Sequence, residues 1–319
     1  MDKTLWIKGG RVIDPKAQRD CIDDLFSLNG KIVPSLSKDQ KASAQIIKAN
    51  GLVVSPGLVD LNVDVCEPGN THKEDMASGT RAACAGGFTS ILCKPTTNPP
   101  CDNIGAVQYV KNIIEQNAVI NAYPTGAITK ELEENSLAPI GSLQKAGAVA
   151  ISNGTYSVHN NELMRRAVEY ANMFNMVILD HCQDRNLSDQ GVMNEGPISL
   201  RLGLSGWPNA AEDIIVSRNV ILATYTKAHI HLQSVSSGNA VDIIRRAKQR
   251  GVSISAETTP HHLFFNDESL LGYNTNFKVT PPIRSEADRL SLIEGILDGT
   301  IDCIGSNHSP HVQDEKNVE

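Results

Sequence analysis

The stretch LVDLNVDVCEPG, residues 58–69, is an apolar run in which a polar residue falls at every second position before a Pro-Gly turn. Such alternation is typical of a β-strand whose two faces meet different surroundings. Asp60, Asn62 and Asp64 therefore share one face of the predicted strand. The chemical role of these side chains depends on the fold in which this strand is the first element.

From residue 57 onward, short apolar strands alternate with segments of helical period. The predicted strands are LVDLNVDV, FTSILCKP, AVINAYPTG, GAVAISN, NMVILDH, AHIHLQSV, VSISAETTP and TIDCIGSNH. Apolar residues recur at helical spacing in the segments 104–114, 163–174, 239–250 and 286–297, and Gly251 is placed to end the third. Eight β-α repeats predict an α/β protein with a (β/α)8 TIM barrel. An open doubly wound sheet is the alternative, but CEPGNTHKED after the first strand is no dinucleotide-binding loop.

Two domains are predicted, over residues 1–56 and 57–319. The first contains short strands with turn signals at Gly9-Gly10 and Asn29-Gly30, which indicates a small β unit. In the second, the eighth strand ends near Asn307, which leaves almost no room for a closing helix. We expect either that the chain is truncated at its C-terminus or that another segment caps the barrel.

Composition excludes several classes of function. A formal net charge of −7 without a basic cluster argues against a nucleic-acid partner. No apolar run approaches the ~20 residues of a membrane helix, and the first residues lack the apolar core of a signal peptide. The seven scattered cysteines form no C-x-x-C pair and fit buried thiols. We therefore expect a cytoplasmic location and no membrane partner.

In a barrel of this kind the reactive groups lie at the carboxyl ends of the strands. Here those ends carry mostly neutral amides and hydroxyls: Asn62, Asp64, Lys94, Thr96, Asn153, His181, Gln233, Ser234, Thr258, Thr259, Asn307 and His308. A catalytic zinc ion needs three good ligands and an open position. The only candidates for such ligands are Asp64, His181 and His308. Two interpretations follow: these polar residues line a water-filled barrel mouth, or, as the alternative, three of them form a single-metal site.

Several longer stretches carry a family resemblance: WIKGGRVIDP, SPGLVDLNVDVCEPG, HKEDMASGTRAACAGGFTSILCKPTTNP, ILDHCQD, GVMNEGPISLRLGL, TTPHHL, NFKVTPPIR and IDCIGSNHSPH. Through them the sequence closely resembles the dihydroorotases of the cyclic amidohydrolase superfamily, from residue 4 to the end. The resemblance implies a metallo-dependent-hydrolase barrel with a small β-sandwich built from both chain ends. It also implies that family members continue past the position of Glu319, as a truncated chain would require.

The resemblance further implies hydrolysis of dihydroorotate, or its formation from carbamoyl aspartate, with zinc. The implied metal-ligand positions fall at Asn62, Asp64, Asn153, His181, Ser234 and Asn307, of which only His181 keeps the family residue. Asn307 also occupies the general-base position, where an amide cannot accept a proton near neutral pH. Cys66 and Thr96 replace the arginine and asparagine that bind substrate. We therefore expect no catalytic residue, no metal ligand set and no cofactor.

The main prediction is a catalytically inactive dihydroorotase-like protein of pyrimidine biosynthesis. It would act as a structural subunit for aspartate transcarbamoylase in a hetero- or homo-oligomer. The alternative is an active zinc-dependent dihydroorotase or cyclic amidohydrolase with an altered metal site. A third hypothesis is a ligand sensor that uses the old pocket. The histidine pairs His229/His231 and His261/His262 are interpreted as structural, and Arg284 as a residue that keeps the shape of the pocket.

Overall fold

The computed structural model describes residues 4–316 and divides the chain into two compact units between Leu58 and Val59. The predicted domain boundary lies two residues earlier. Residues 1–3 and 317–319 of the predicted domains lie outside the described residues, so the expected truncation after Glu319 stays a prediction. Within residues 4–316, no helix has the length and apolar character needed to cross a bilayer.

The first unit contains one five-stranded mixed sheet. Its elements are β1 (Thr4–Asp14), β2 (Arg19–Leu28), β3 (Lys31–Val33), α1 (Lys38–Ser43), β4 (Gln45–Lys48) and β5 (Val53–Val54). The order is β3-β2-β1-β4, and β5 also pairs with β1. β2 is antiparallel to its neighbours, whereas β4 and β5 are parallel to β1. The second layer of the predicted sandwich is not among the described residues of this unit.

One of the two predicted turns in this unit is wrong. Asn29 and Gly30 form the expected tight turn, with φ values of 53° and 76°. Gly9-Gly10, in contrast, lies inside β1, where the register with β2 shifts between Ile7 and Gly10. Gly9 has a φ of +70°, and a Cβ there would meet the Asn50 side chain at 2.7 Å. The glycine pair therefore permits a β-bulge with a close side-chain approach rather than a chain reversal.

The second unit alternates strands and helices. Its strands are β6 (Leu58–Val63), which begins at the boundary residue, β7 (Phe88–Cys93), β8 (Asn121–Pro124), β9 (Gly126–Ala127), β10 (Ile151–Ser152), β11 (Ile178–His181), β12 (Met193–Asn194), β13 (Gly206–Trp207), β14 (Ile230–Gln233), β15 (Ile254–Thr258) and β16 (Cys303–Ile304). Its α-helices are α2 (Met76–Ala85), α3 (Ile104–Asn117), α4 (Ile140–Ala146), α5 (Asn161–Met173), α6 (Arg185–Ser188), α7 (Pro197–Leu202), α8 (Ala210–Thr226), α9 (Gly238–Gln249), α10 (Pro260–Phe264), α11 (Glu286–Leu297) and α12 (Gln313–Lys316). The short segments Lys130–Leu132, Asp267–Gly272 and Thr275–Phe277 are 3-10 helices.

The strands close into a barrel. One run is β6-β7-β8, and the other is β9-β10-β11-β14-β15-β16, with a single residue between β8 and β9. A parallel bridge between Val63 and His308 closes the ring, and the Asp64 backbone N–H donates to the His308 carbonyl at 2.9 Å. Counting β8 and β9 as one position gives eight strand positions. The α/β class and the predicted barrel are thus confirmed. Among the residues that the structure describes, β12 and β13 pair only with each other.

The helices form where apolar residues repeat every three to four positions. In α9 the residues Ala240, Val241, Ile244 and Ala247 are buried, and the Ser237 side chain caps the first turn. The helix ends before Gly251, whose φ of +73° confirms the predicted stop. The other three predicted helices correspond to α3, α5 and α11. Their buried faces share one hydrophobic core with the strands β10, β11, β14 and β15.

Candidate functional site at the carboxyl ends of the barrel strands

Asn62, at the carboxyl end of β6, is bonded across the barrel interior. Its side chain is buried, and Nδ2 donates to the Ser234 Oγ at 2.9 Å and to the Glu257 Oε1 at 2.8 Å. Glu257 is itself fully buried. The expectation that this polar face lines a water-filled mouth is therefore wrong for Asn62. Its amide instead satisfies a buried carboxylate, which would be costly to leave unpaired.

Asn153 follows β10 and is held by its neighbours. Its Oδ1 accepts from the backbone N–H groups of Ile128 and Thr129, at 2.9 and 3.2 Å, and its Nδ2 donates to the Thr129 Oγ1 at 2.8 Å. The residue is buried. The side-chain oxygen that would have to ligate a metal ion is therefore already used to tie β10 to the segment after β9.

His181 ends β11 and is buried. Burial, and to a smaller extent the positive charges of Lys94 and Arg185, lower its pKa to about 4, so the imidazole is neutral at pH 7. Its Nε2 has no hydrogen-bond partner among the described residues. An orphaned buried nitrogen of this kind is uncommon and calls for a ligand or a bound water.

Lys94, directly after β7, is the site residue to which the sequence analysis assigned no role. Its Nζ donates to the Asn307 Oδ1 at 3.1 Å, and the Asn307 Nδ2 donates to the Thr280 carbonyl at 2.7 Å. Burial lowers the Lys94 pKa, and the carboxylates of Asp64 and Glu257 oppose that shift. The signal in the sequence was a single lysine among otherwise neutral or acidic strand ends.

The two predicted substrate-binding positions carry no group that can clamp a carboxylate. Cys66 is buried, and burial together with the charge of Asp64 raises its thiol pKa to about 12. The Asp64 Oδ1 accepts the Cys66 backbone N–H at 3.0 Å. The Thr96 methyl lies 2.5 Å from where a Cβ at Gly154 would stand, so it packs against that backbone. Neither side chain offers the paired donors of an arginine.

The alternative single-metal set is not brought together. The His308 Nε2 pairs with the Glu74 Oε2 at 2.7 Å. Among the described residues, the side-chain donor atoms of Asp64, His181 and His308 do not form a group within 4.8 Å of one another. Within residues 4–316, the one group of three potential donors with atoms within 4.8 Å of one another is His231, Glu257 and Cys303. The residues at the six implied ligand positions therefore do not fit a zinc centre, because most of them are amides or hydroxyls bonded to protein groups.

Three of the four paired histidines have hydrogen-bond partners that hold the structure together. His229 and His231 both contact the Ser255 Oγ, at 2.8 Å each, and His231 also approaches Glu257 at 3.4 Å. His262 is buried between the Thr259 hydroxyl and the carbonyls of Pro281 and Pro282. These contacts fix the strands and the loop beside the mouth, as interpreted for His229, His231 and His262. The buried Nε2 of His261 has no hydrogen-bond partner among the described residues, so a structural role for His261 stays a prediction.

Arg284 is buried and holds several segments together. It donates to the Ser236 Oγ at 3.0 Å and to the Trp207 carbonyl at 2.7 Å. Its Nη2 lies 3.9 Å from the Glu212 Oε2, and both side chains are almost fully buried. The guanidinium thus joins β13, the loop after β14 and α8, which keeps the shape of the barrel mouth.

The profile of the Dihydro-orotase-like family matches residues 51–240. A dihydroorotase from Ruminiclostridium cellulolyticum is 47% identical over 315 residues, which cover 99% of this chain and 74% of that protein. The chain belongs to the dihydroorotase-like family. A dihydroorotase from Acetivibrio thermocellus is also 47% identical, covering 98% of this chain and 74% of that protein. The names of these relatives favour the alternative prediction, an active enzyme, over an inactive one.

Solved structures share the fold of this dihydroorotase-like chain at lower identity. An L-hydantoinase from Arthrobacter aurescens superposes with a TM-score of 0.80 and 20% identity, covering 99% of this chain and 71% of that one. A D-hydantoinase gives 0.79 and 23%, with coverage of 97% and 69%. These structural similarities show the barrel architecture. They do not show the chemistry at the barrel mouth, which is inferred from the residues described above.

Proposed function

We propose that this chain is a dihydroorotase-like protein of pyrimidine biosynthesis that does not carry out metal-dependent hydrolysis and serves as a structural subunit for aspartate transcarbamoylase. The observation that carries the proposal is the hydrogen bond from Lys94 to Asn307. The Asn307 amide stands at the position where the family resemblance implies a metal-bound carboxylate that also acts as general base, and the Lys94 ammonium group donates to it.

Elementary chemistry supports a site that does not catalyse hydrolysis. A water molecule without a bound metal keeps a pKa near ~15.7, whereas zinc lowers it to about 7. Asn307 cannot take up the proton that such a water would lose. Lys94 places a positive charge beside the implied ligand positions, where it repels a divalent cation. These three effects act in the same direction, so restoring one group alone would not restore turnover.

An active zinc-dependent dihydroorotase is the second candidate. The names of relatives at 47% identity favour it over a catalytically inactive protein. In this candidate the unpartnered His181 Nε2 is the remaining strong ligand. Zinc would supply an activated water. The chain would have to complete the coordination with Asp64 and with rearranged amides, which the hydrogen bonds of Asn62 and Asn153 oppose.

Metal content and turnover separate the two candidates. The full chain is purified from zinc-supplemented cells beside the Ruminiclostridium cellulolyticum dihydroorotase, and zinc is measured by mass spectrometry. We expect less than stoichiometric zinc and no dihydroorotate hydrolysis in this chain, with both present in the control. Stoichiometric zinc together with turnover, both lost in His181→Ala, would establish the second candidate instead.

The structural role needs a separate measurement. The full chain is mixed with the aspartate transcarbamoylase catalytic chain of the same organism, and the mass of the complex is determined by light scattering after gel filtration. We expect co-elution in a defined stoichiometry. Independent elution at concentrations of ~10 μM would contradict the subunit role, since assemblies that persist in cells bind more tightly than this. That result would not bear on the separate proposal that the site is catalytically inactive.

A further inference from the structure

Three potential metal ligands stand on neighbouring strands of the barrel, none of them at a metal-ligand position implied by the family resemblance. His231 comes from β14, Glu257 from β15 and Cys303 from β16. Glu257 and Cys303 are directly paired in the parallel register, and His231 pairs with Ser255, two residues before Glu257. One donor atom from each of the three residues lies within 4.8 Å of the others. The sheet itself therefore holds this group together.

The distances suit one tetrahedral ion. The His231 Nε2 lies 3.4 Å from the Glu257 Oε2. This separation is longer than a charge-assisted hydrogen bond of about 2.7–2.9 Å. It matches the distance of about 3.3 Å between a nitrogen and an oxygen ligand on one zinc ion with bonds of about 2.0–2.1 Å. Imidazole, carboxylate and thiolate together fit Zn²⁺ better than Mg²⁺ or Ca²⁺, which prefer oxygen ligands.

The charge of Glu257 also calls for a cation. The side chain is fully buried, and within residues 4–316 no lysine or arginine nitrogen lies within 4.0 Å of its carboxylate. A buried carboxylate is normally paired or bound to a metal ion. The Asn62 Nδ2 donates to Oε1, which leaves Oε2 facing His231. The Ser255 Oγ contacts the His231 Nδ1 at 2.8 Å, and a metal-bound imidazole is normally oriented by such a hydrogen bond at its other nitrogen.

A second observation comes from Asn62. Its Oδ1 is buried and has no hydrogen-bond partner among the described residues. Since the oxygen and nitrogen of one amide are about 2.2 Å apart, Oδ1 lies within about 5 Å of the Glu257 oxygen that Nδ2 contacts. A buried carbonyl oxygen without a donor is expected to meet a ligand or an ordered water. A water in the open fourth position of a zinc ion would supply that donor.

The group can be reached from the amino ends of the strands. His231 lines a cavity of about 380 Å³ there. The lining includes Val59 near the start of β6, and Val149, Val177 and His229 just before β10, β11 and β14. Most of these four residues are exposed, so the cavity opens to solvent. This entrance lies at the end of the barrel opposite to the mouth that carries the implied ligand positions.

We propose that His231, Glu257 and Cys303 bind one zinc ion that links β14, β15 and β16 and takes no part in hydrolysis. The inference goes beyond the proposed function and does not depend on it. In the metal-free chain, burial and the charge of Glu257 raise the pKa of the Cys303 thiol to about 12. Zinc must therefore displace a proton at neutral pH, so it binds less tightly than to a preformed thiolate. This agrees with the less than stoichiometric zinc expected in the purified chain.

The test titrates the metal-free full chain with Co²⁺ at pH 8, because zinc gives no colour whereas a cobalt–thiolate bond absorbs in the near ultraviolet. We expect one equivalent of Co²⁺ to produce this absorption and added zinc to remove it. Cys303→Ser should abolish the absorption. His231→Gln should weaken Co²⁺ binding by more than ~100-fold, beyond the effect of losing an outer contact. Cys21→Ser, which removes an exposed thiol from β2, should behave like the parent chain.

Thermal melts provide the folding control. Zinc should raise the melting temperature of the parent chain and of Cys21→Ser, but not of Cys303→Ser. Should Cys303→Ser melt well below the parent without metal, Cys303→Val, which keeps an apolar strand residue, takes its place. The inference is overturned if Co²⁺ produces no thiolate absorption, if the absorption persists in Cys303→Ser, or if His181→Ala removes it from folded protein. Dihydroorotate turnover that depends on His181 and survives Cys303→Ser would contradict the proposed function instead.

Discussion

Replacing Asn62 by aspartate tests the central contact of the barrel interior. The two side chains have the same shape, so Asn62→Asp creates no cavity and changes only hydrogen bonding and charge. The amide Nδ2 that donates to Glu257 at 2.8 Å and to Ser234 at 2.9 Å becomes a carboxylate oxygen. Two buried carboxylates would then face each other, with Asp60 also nearby on the same strand.

The magnitude follows from those contacts. A hydrogen bond to a charged group contributes about 1.5–3 kcal/mol and a neutral one about 1 kcal/mol. Removing the partner of a buried charge typically costs ~3–5 kcal/mol in total. We expect Asn62→Asp to lower the free energy of unfolding by that amount at pH 8. The loss should shrink at lower pH, because one carboxyl of the new pair takes up a proton and can again donate to the other.

Urea unfolding followed by circular dichroism measures the effect, with Asn70→Asp as the matched control at an exposed position between two turns. The control should unfold within ~0.5 kcal/mol of the parent chain. If Asn62→Asp at pH 8 were as stable as the control, the Asn62 amide would not be bonded to a buried Glu257 carboxylate. The account of a closed polar interior beneath the mouth would then be wrong.

Two further predictions concern the buried groups around the mouth. Arg284→Met should cost ~3–5 kcal/mol because the buried Glu212 loses its counter-charge, and adding Glu212→Gln should recover part of that loss in urea midpoints. Burial lowers the His262 pKa to about 3, so between pH 6.5 and 3 the unfolded chain binds a proton that the folded chain does not. Stability should therefore fall as the pH drops through this window, with His262 contributing about 1.4 kcal/mol per pH unit. His262→Gln should flatten that slope in thermal melts at successive pH values, whereas the exposed His72→Gln should not; equal slopes would contradict the burial of a neutral His262.

Much of the barrel could be predicted from local patterns. The apolar face of α9 repeats at helical spacing and ends at Gly251, and both features are set by residues close together in the chain. Gly9-Gly10 was misassigned because a glycine pair permits either a turn or a bulge. The approach of the Asn50 side chain, far along the chain, selects the bulge.

For the site, the sequence by itself determined which chemical groups stand at the strand ends, and hence that amides and a serine replace most implied ligands. Only the tertiary structure decided their partners. Closure of the ring brings Asn62 to Ser234 and Glu257, 172 and 195 residues away, and Lys94 to Asn307, 213 residues away. The physical reason is that periodicity fixes which face a side chain occupies, whereas its neighbour depends on strand order, register and loop closure. In the stretch LVDLNVDVCEPG, the pattern placed Asn62 on the polar face, and the closed barrel made that face a buried hydrogen-bonded interior.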